Sequence, residues 1–368
     1  MDVEEGFTTS LLGKRILLVE LQPHHGLMLD PLTEAMVTSG ASVDLLTNHH
    51  HKKFASIPKT TNRVRKWKTL RSRIIWFASN RLPRMLAWFI QSKKYDAIVW
   101  SSLDRQSLRV AKYITIPQAG IVHEWREEFR TLPDLEPIKT RPDCSILTIG
   151  KHIKGTGIDS YFLPYHVTGF DPSTVSRSRE MIVIGNYQQY RRDYDLLFST
   201  VSKLNNMEEA PTISILTNSK SGDVQQGIEK RNSMGLEEQI HFIYSDNLRS
   251  ELSYHEACSR ATFCLPLLGA GMYESYRTTR VSGTLSKIFN CELIPIIDRK
   301  TAESWGIDES IAIIYEEADL EDGMNQSNNI SMEQINEMQN KIRKLKNIEF
   351  QTSITNLVTC ITDITSQK

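Results

Sequence analysis

Short apolar runs rich in Ile and Val alternate along the whole chain with stretches of helical periodicity. Runs of this length, without polar alternation, suit strands buried on both faces of a parallel sheet whose connections are helices. They predict strands near 15–21, 41–47, 95–101, 118–123, 145–149 and 161–164, and again near 181–185, 212–217, 239–244, 262–267, 293–298 and 311–315. Two such blocks predict an α/β protein of two Rossmann-like domains. The polar segment Thr168–Arg179 reads as the linker, and Asp319–Ser331 reads as a polar, acidic loop. Two helices follow, Met332–Leu345 and about Phe350–Ile364.

A length of 368 residues and a hydrophobic content of 40% suffice for two cores. The formal net charge is zero, which removes any global electrostatic case for nucleic acid. The five cysteines are odd in number and form no Cys-x-x-Cys pair, which argues for a reducing, cytoplasmic setting and against a disulfide frame or structural zinc. Met1–Ser10 is acidic and polar, unlike a signal peptide, and no apolar run reaches the roughly 18 residues of a membrane span.

Chemistry concentrates between Met181 and Arg299. The apolar run Met181–Ile184 ends in Gly185-Asn186, and Arg191 and Arg192 stand at the mouth of the next helix. Thr262–Leu268 is broken by Gly269-Ala-Gly271, and Glu274, Ser282, Thr284, Ser286 and Lys287 follow before the run Leu293–Asp298. In an open parallel sheet, ligands bind at the carboxyl ends of the strands, where all these residues fall. Adjacent arginines, hydroxyls and glycine-exposed backbone at helix N-termini suit a phosphate or diphosphate. Arg191 and Arg192 are either phosphate ligands or surface partners of Asp193 and Asp195. Gly269 and Gly271 are either an approach for the ligand or an ordinary turn, and Ser282, Thr284 and Ser286 either contact phosphate or cap the helix. No Asp-x-Asp stands at a strand end. In the first half, His123 and Glu124 end an apolar strand, and His24, His25 and Gly26 occupy the loop after the first strand. His49-His-His51 reads as solvated.

The order of these segments resembles a GT-B glycosyltransferase, closest to glycosyltransferase family 4 (group 1). Arg192-Asp-Tyr-Asp-Leu-Leu197 resembles that family's Lys-Gly-x-Asp-Leu-Leu with arginine for lysine, and Leu265-Pro266 to Glu274 resembles its proline-tipped strand, loop and glutamate. Arg15–Glu20 with Gly26, Ala41–Thr47, Val122-His-Glu-Trp125, and Tyr161–Val167 with Phe170 resemble the matching segments of its first domain. One departure stands out: the family's second glutamate, eight positions after the first, is Ser282 here.

The resemblance implies two Rossmann-like domains facing each other across a cleft. An acceptor domain would span 1–172, a nucleotide-sugar domain 173–347, and a C-terminal helix, 348–368, would cross back to the first. It implies His123 as the active-site histidine and Glu274 as a ligand for sugar hydroxyls, with His25, Gly26 and Glu124 bordering the substrates. The implied reaction is transfer from a nucleotide-diphosphate sugar to a glycan or lipid-linked acceptor, as in polysaccharide biosynthesis. It would retain configuration and need no metal or other cofactor. Rivals on the same fold are a nucleotide-sugar epimerase, a phosphorylase or a non-catalytic binding protein.

Between Asp44 and Asp96 there is no acidic residue, while basic residues run from Lys52 to Lys94 with Trp67, Trp76, Phe77, Trp88 and Phe89 among them. Ile74, Ile75, Phe77, Ala78 and Leu82 recur near helical spacing. Such a segment suits an anionic membrane surface, placing the protein peripherally on the cytoplasmic face, or forms a solvated basic face. No nucleic-acid-binding motif accompanies it.

Overall fold

The computed structural model describes residues 11–22, 28–48, 63–67, 81–153, 158, 160–167, 169–205, 210–220, 223–248, 251–268, 274–316 and 318–367. The apolar runs pair as two six-stranded sheets, parallel throughout. The first holds β1 (Arg15–Glu20), β2 (Ser42–Asn48), β3 (Arg63–Trp67), β4 (Ala97–Trp100), β5 (Gln118–Val122) and β6 (Cys144–Thr148) in the order β3-β2-β1-β4-β5-β6. The second holds β7 (Ser178–Ile184), β8 (Ile213–Thr217), β9 (Ile240–Tyr244), β10 (Ala261–Cys264), β11 (Ile294–Asp298) and β12 (Ile313–Tyr315) in the order β12-β11-β10-β7-β8-β9. Counted within each unit, the two orders are the same. Every residue of β4, β5, β8, β10 and β11 is buried, as expected where helices cover both faces. One compact unit comprises Met1–Thr168 with Glu349–Lys368, and the other Gly169–Ile348.

In each sheet the strand order reverses between the first and fourth strands of the unit, β1 and β4 or β7 and β10. Connections there leave in opposite directions and open a crevice at the carboxyl edge, the position at which doubly wound folds bind ligands.

Four sequence expectations need correction. Residues 161–164 are not a strand: Tyr161 makes an isolated bridge to Thr148, while Leu163 N donates to Ser353 Oγ at 2.9 Å and Asn356 Nδ2 to the Tyr161 carbonyl at 3.0 Å. The C-terminal helix thus takes hydrogen bonds that a sheet neighbour would have taken. The helices expected at 332–345 and 350–364 are one 35-residue helix, Met332–Ser366, since nothing in Lys346–Glu349 breaks it. Its last part, from Glu349, belongs to the first unit. The expected loop at 319–331 contains the helix Leu320–Asn329, capped by Asp319 and anchored by buried Leu320, Met324 and Ser327. Finally, Arg63–Trp67 within the basic segment is an edge strand beside β2. The other residues of 49–80, including His49–His51, lie outside the described residues.

Glu292 shows how the second unit is closed below its sheet. It follows the helix Gly283–Asn290 with φ +52°, in the left-handed region, and its buried carboxylate accepts from Arg343 Nη2 at 2.6 Å and Lys346 Nζ at 2.9 Å. Burial works against its charge, but Arg343 and Lys346 outweigh it and hold the carboxyl below its ordinary range. Glu292→Ala is expected to destabilise the unit by about 3 kcal/mol, because it leaves two cations without their partner. Glu292→Gly should lose about 1 kcal/mol less, since glycine accepts the left-handed backbone. Urea unfolding of both variants measures the difference, and equal losses would show that this backbone stores no strain.

Candidate functional site

The carboxyl edge of β7 is built around Arg192. Gly185 follows the strand at φ +119°, and its amide donates to the Leu216 carbonyl at 3.0 Å. A Cβ there would stand 2.9 Å from Arg192 Nη2, so glycine is needed both for the turn and for the guanidinium. Arg192 is only 6% exposed. Its Nη2 donates to the Ile184 carbonyl at 2.7 Å and to Thr284 Oγ1 at 3.0 Å. Its Nε has no partner, and among the described residues no carboxylate lies within ion-pair distance of it. A buried cation without a counter-ion is costly, and a bound anion would relieve that cost.

Thr284 lies in the first turn of the helix Gly283–Asn290, whose N-cap is Ser282: the Thr284 amide donates to Ser282 Oγ at 3.3 Å. The positive end of this helix therefore meets Arg192 through Thr284. Gly185, Arg192, Ser282 and Thr284 thus come together. The remaining expected residues divide. Asn186 is exposed beside Gly185, and the Arg191 guanidinium packs over the Tyr190 ring at 5.2 Å. Ser286 Oγ donates within its own helix, to the Gly283 carbonyl at 3.0 Å. Lys287 was expected to reach phosphate. Instead it is buried, its Nζ donating to His255 Nε2 at 2.8 Å over the Tyr254 ring. Its position in the helix turns it into the core, toward the helix Glu251–Ser259. Gly269 and Gly271 lie outside the described residues, as do His24, His25 and Gly26.

Asp193 and Asp195, the chain's Asp-x-Asp, are not a paired site. Asp193 caps the helix Tyr194–Leu204, accepting from the Leu196 amide at 2.9 Å, and Asp195 pairs with Lys230. The helix therefore opens two residues after Arg192. Among the described residues no group of three or more His, Cys, Asp or Glu is placed to hold a metal ion.

Glu274 is 67% exposed at its side chain and accepts from Arg277 Nη1 at 2.8 Å. Arg277, which the sequence did not single out, is the buried hub here. It donates to the Leu268 carbonyl, to Thr301 Oγ1 at 2.9 Å and to Asp298 Oδ1 at 3.3 Å, joining the loop after β10 to the end of β11. An arginine in a run of polar residues carries no sequence mark of burial. Leu267, just before this junction, has φ +54°, rare for a non-glycine residue, and its carbonyl accepts from the Asp193 amide at 3.0 Å.

In the first unit the corresponding edge carries His123, Ser101 and Glu20. His123 Nε2 lies 2.8 Å from the Ser101 carbonyl. Glu124 pairs with Arg126 beside it. Glu20 ends β1 and is fully buried. Its Oε2 lies 2.6 Å from Ser101 Oγ, and its Oε1 accepts from the Gln22 amide at 2.6 Å. Burial pushes its carboxyl up to about 8, against the pull of those two hydrogen bonds, and nearby Asp104 adds to the rise. A carboxylate closing the apolar run Ile16–Val19 was the available sequence signal, and it reads equally well as an ordinary strand end.

No protein-family model and no curated protein matches the sequence. Solved structures do match the fold. A glycosyltransferase from Rickettsia africae superposes with a TM-score of 0.64 at 10% identity, over 96% of this chain and 99% of its own. HepE from Anabaena, solved with UDP and glucose, gives 0.60 at 11%, over 94% and 97%. UDP-GlcNAc 2-epimerase from Methanocaldococcus jannaschii gives 0.53 at 10%, over 86% and 92%. The chain therefore has the two-unit parallel α/β fold, with a C-terminal helix, of the GT-B glycosyltransferases.

The raised carboxyl of Glu20 has a consequence for stability. The unfolded chain releases this proton near 4.5, whereas the folded chain keeps it to about 8. Its contribution is fully present below the unfolded value and is lost as pH rises through the folded one. At about 1.4 kcal/mol per pKa unit the loss is on the order of 5 kcal/mol. Glu20→Gln should match the wild type in acid and exceed it at mildly alkaline pH. Parallel denaturation curves at both pH values would show no such divergence if Glu20 ionised normally.

Proposed function

We propose that the protein is a glycosyltransferase that moves a sugar from a nucleotide-diphosphate sugar to a glycan or lipid-linked acceptor. The observation that carries this reading is Arg192, a buried guanidinium with no carboxylate, at the switch point of the second sheet and beside a capped helix N-terminus. A diphosphate supplies the missing charge, and developing negative charge on a leaving diphosphate would be stabilised by the same groups. Arg191 lies next to it at the same edge. Ser282 and Thr284 orient the helix end, and Glu274, braced by Arg277, is exposed to receive sugar hydroxyls. The first unit supplies the acceptor side, with His123 and Glu124 at its carboxyl edge. Because arginine and the helix dipole neutralise the leaving group, the reaction needs no metal or other cofactor. The resemblance to glycosyltransferase family 4 favours retention of configuration.

A nucleotide-sugar epimerase is the second reading, favoured by the matching epimerase fold. It shares the donor class but not the acceptor: nucleotide released only when an acceptor is present supports transfer.

The helix Arg81–Gln91 supports an anionic membrane surface as a further partner. Leu86, Ala87 and Ile90 face the core, while Met85 and Trp88 are 62% and 72% exposed beside exposed Arg81 and Arg84. An aromatic ring and a thioether flanked by cations suit the boundary between lipid head groups and acyl chains. Among the described residues no helix is long and apolar enough to cross a membrane.

Two outcomes are expected. Arg192→Ala should weaken nucleoside-diphosphate binding, measured by calorimetry, by about 1.5–3 kcal/mol, the range for hydrogen bonds to charged groups. Transfer by the wild type should persist in EDTA. Unchanged affinity in the variant would remove Arg192 from the site, and turnover abolished by EDTA and restored by Mg²⁺ would refute metal independence. For the membrane, the protein should sediment with vesicles containing anionic lipid but not with neutral ones. Arg84→Glu with Trp88→Ala should abolish this and leave nucleotide binding intact. Equal partition to both vesicle types would return the helix to a solvated face.

A further inference from the structure

The first sheet places Glu20 and Ser101 on the two sides of its switch point, at the ends of β1 and β4, and His123 just beyond β5. Glu20 is fully buried, so it cannot touch a substrate. What it touches is Ser101, and Ser101 in turn receives His123. We infer that Glu20 is a positioning residue for His123, acting through Ser101 to fix the carbonyl that selects the imidazole tautomer. This role rests on the first unit being the acceptor side of the proposed transferase.

The argument is one of donors and acceptors. A carbonyl only accepts, so the contact between His123 Nε2 and the Ser101 carbonyl at 2.8 Å requires the proton on Nε2. That makes Nδ1 the basic nitrogen of the neutral ring. Ser101 is fixed at its amide and at its hydroxyl, and the chain is fixed again two residues on. The Ser101 amide donates to the Val19 carbonyl at 3.0 Å, Ser101 Oγ meets Glu20 Oε2 at 2.6 Å, and the Leu103 amide donates to the Ile121 carbonyl at 2.7 Å. With a proton on Glu20 Oε2, the inventory closes. Glu20 donates to Ser101 Oγ, Ser101 Oγ donates to the Val19 carbonyl at 3.1 Å, and Glu20 Oε1 accepts from the Gln22 amide. If Glu20 loses that proton, Ser101 must turn its hydroxyl hydrogen from Val19 to Glu20. A second negative charge then sits buried near Asp104, which Gln22 Nε2 already contacts. Asp104 and His123 are the titratable groups around this chain of bonds among the described residues. Loss of the Glu20 proton therefore loosens Ser101, and His123 senses it through the Ser101 carbonyl.

The test reads the His123 ring directly by nitrogen–proton correlation spectra of the full chain across pH. In the wild type, His123 should hold the Nε2–H tautomer at neutral pH, and its shifts should take a separate step near pH 8, where Glu20 ionises. Glu20→Gln mimics the protonated acid, so the tautomer should persist and the step should vanish. Ser101→Ala removes one hydroxyl and should abolish the step as well, while Glu20→Leu should mix the tautomers. A wild type without the step, or a step that survives in Glu20→Gln or Ser101→Ala, overturns the inference. If Glu20→Leu does not fold, the other two variants still decide it. An activity arm separates this result from the proposed function: kcat/KM for transfer should lose its fall near pH 8 in Glu20→Gln, with nucleotide affinity unchanged. A chain that binds no nucleotide would refute the transferase while leaving the spectra to decide on Glu20.

Discussion

A guanidinium buried at the end of β7 without a carboxylate is the constraint around which the second unit is arranged. Desolvating such a charge costs several kcal/mol unless hydrogen bonds and an opposite charge compensate. The fold supplies the hydrogen bonds: the last carbonyl of β7 and the hydroxyl of Thr284 both accept from Arg192. It also fixes what surrounds them. Position 185 has no room for a Cβ, and Ser282 must cap the helix so that Thr284 faces the arginine. Among the described residues no carboxylate supplies the opposite charge, so the guanidinium is held by hydrogen bonds alone.

The two units share a strand order but use their switch points in opposite ways. In the second, the crevice end of the sheet holds a permanent cation. In the first, it holds a carboxyl raised toward neutrality, a serine and a histidine. A fixed positive charge suits a group that stays anionic, such as diphosphate. A neutral acid and an oriented imidazole suit a polar, uncharged hydroxyl, whose proton has to be handled. The same topology thus presents a fixed cation at one switch point and groups able to handle a proton at the other.

How far the sequence reveals this depends on what each residue does with its side chain. Strands such as β4, β8 and β11 are legible because burial on both faces writes a continuous apolar run. The edge strand Arg63–Trp67 is not, because an edge position tolerates charge and erases that run. Arg192 is legible as a cation after a glycine-ended strand, but its burial and its bond to Thr284, 92 residues away, belong to tertiary structure. Lys287 shows the converse. Its place on the helix before the run Leu293–Asp298 suggests a phosphate ligand, yet the rotation of that helix points it at His255. Glu20 and Arg277 were missed for a shared reason: each is a charged residue whose partners come from distant segments, and only those partners mark it as buried.

Lys287 is a second buried basic side chain of this unit for which the described residues supply no carboxylate. A lysine Nζ donating to Nε2 requires that nitrogen to accept, so it carries no hydrogen. Lys287 lies on the same helix as Thr284, three residues further on. Its face toward the Tyr254 ring adds attraction without adding a carboxylate. A glutamate or aspartate at either position would have satisfied the lysine locally, but it would also have placed a carboxylate in this part of the core. Histidine and tyrosine as partners keep the lysine buried without adding a carboxylate to the core.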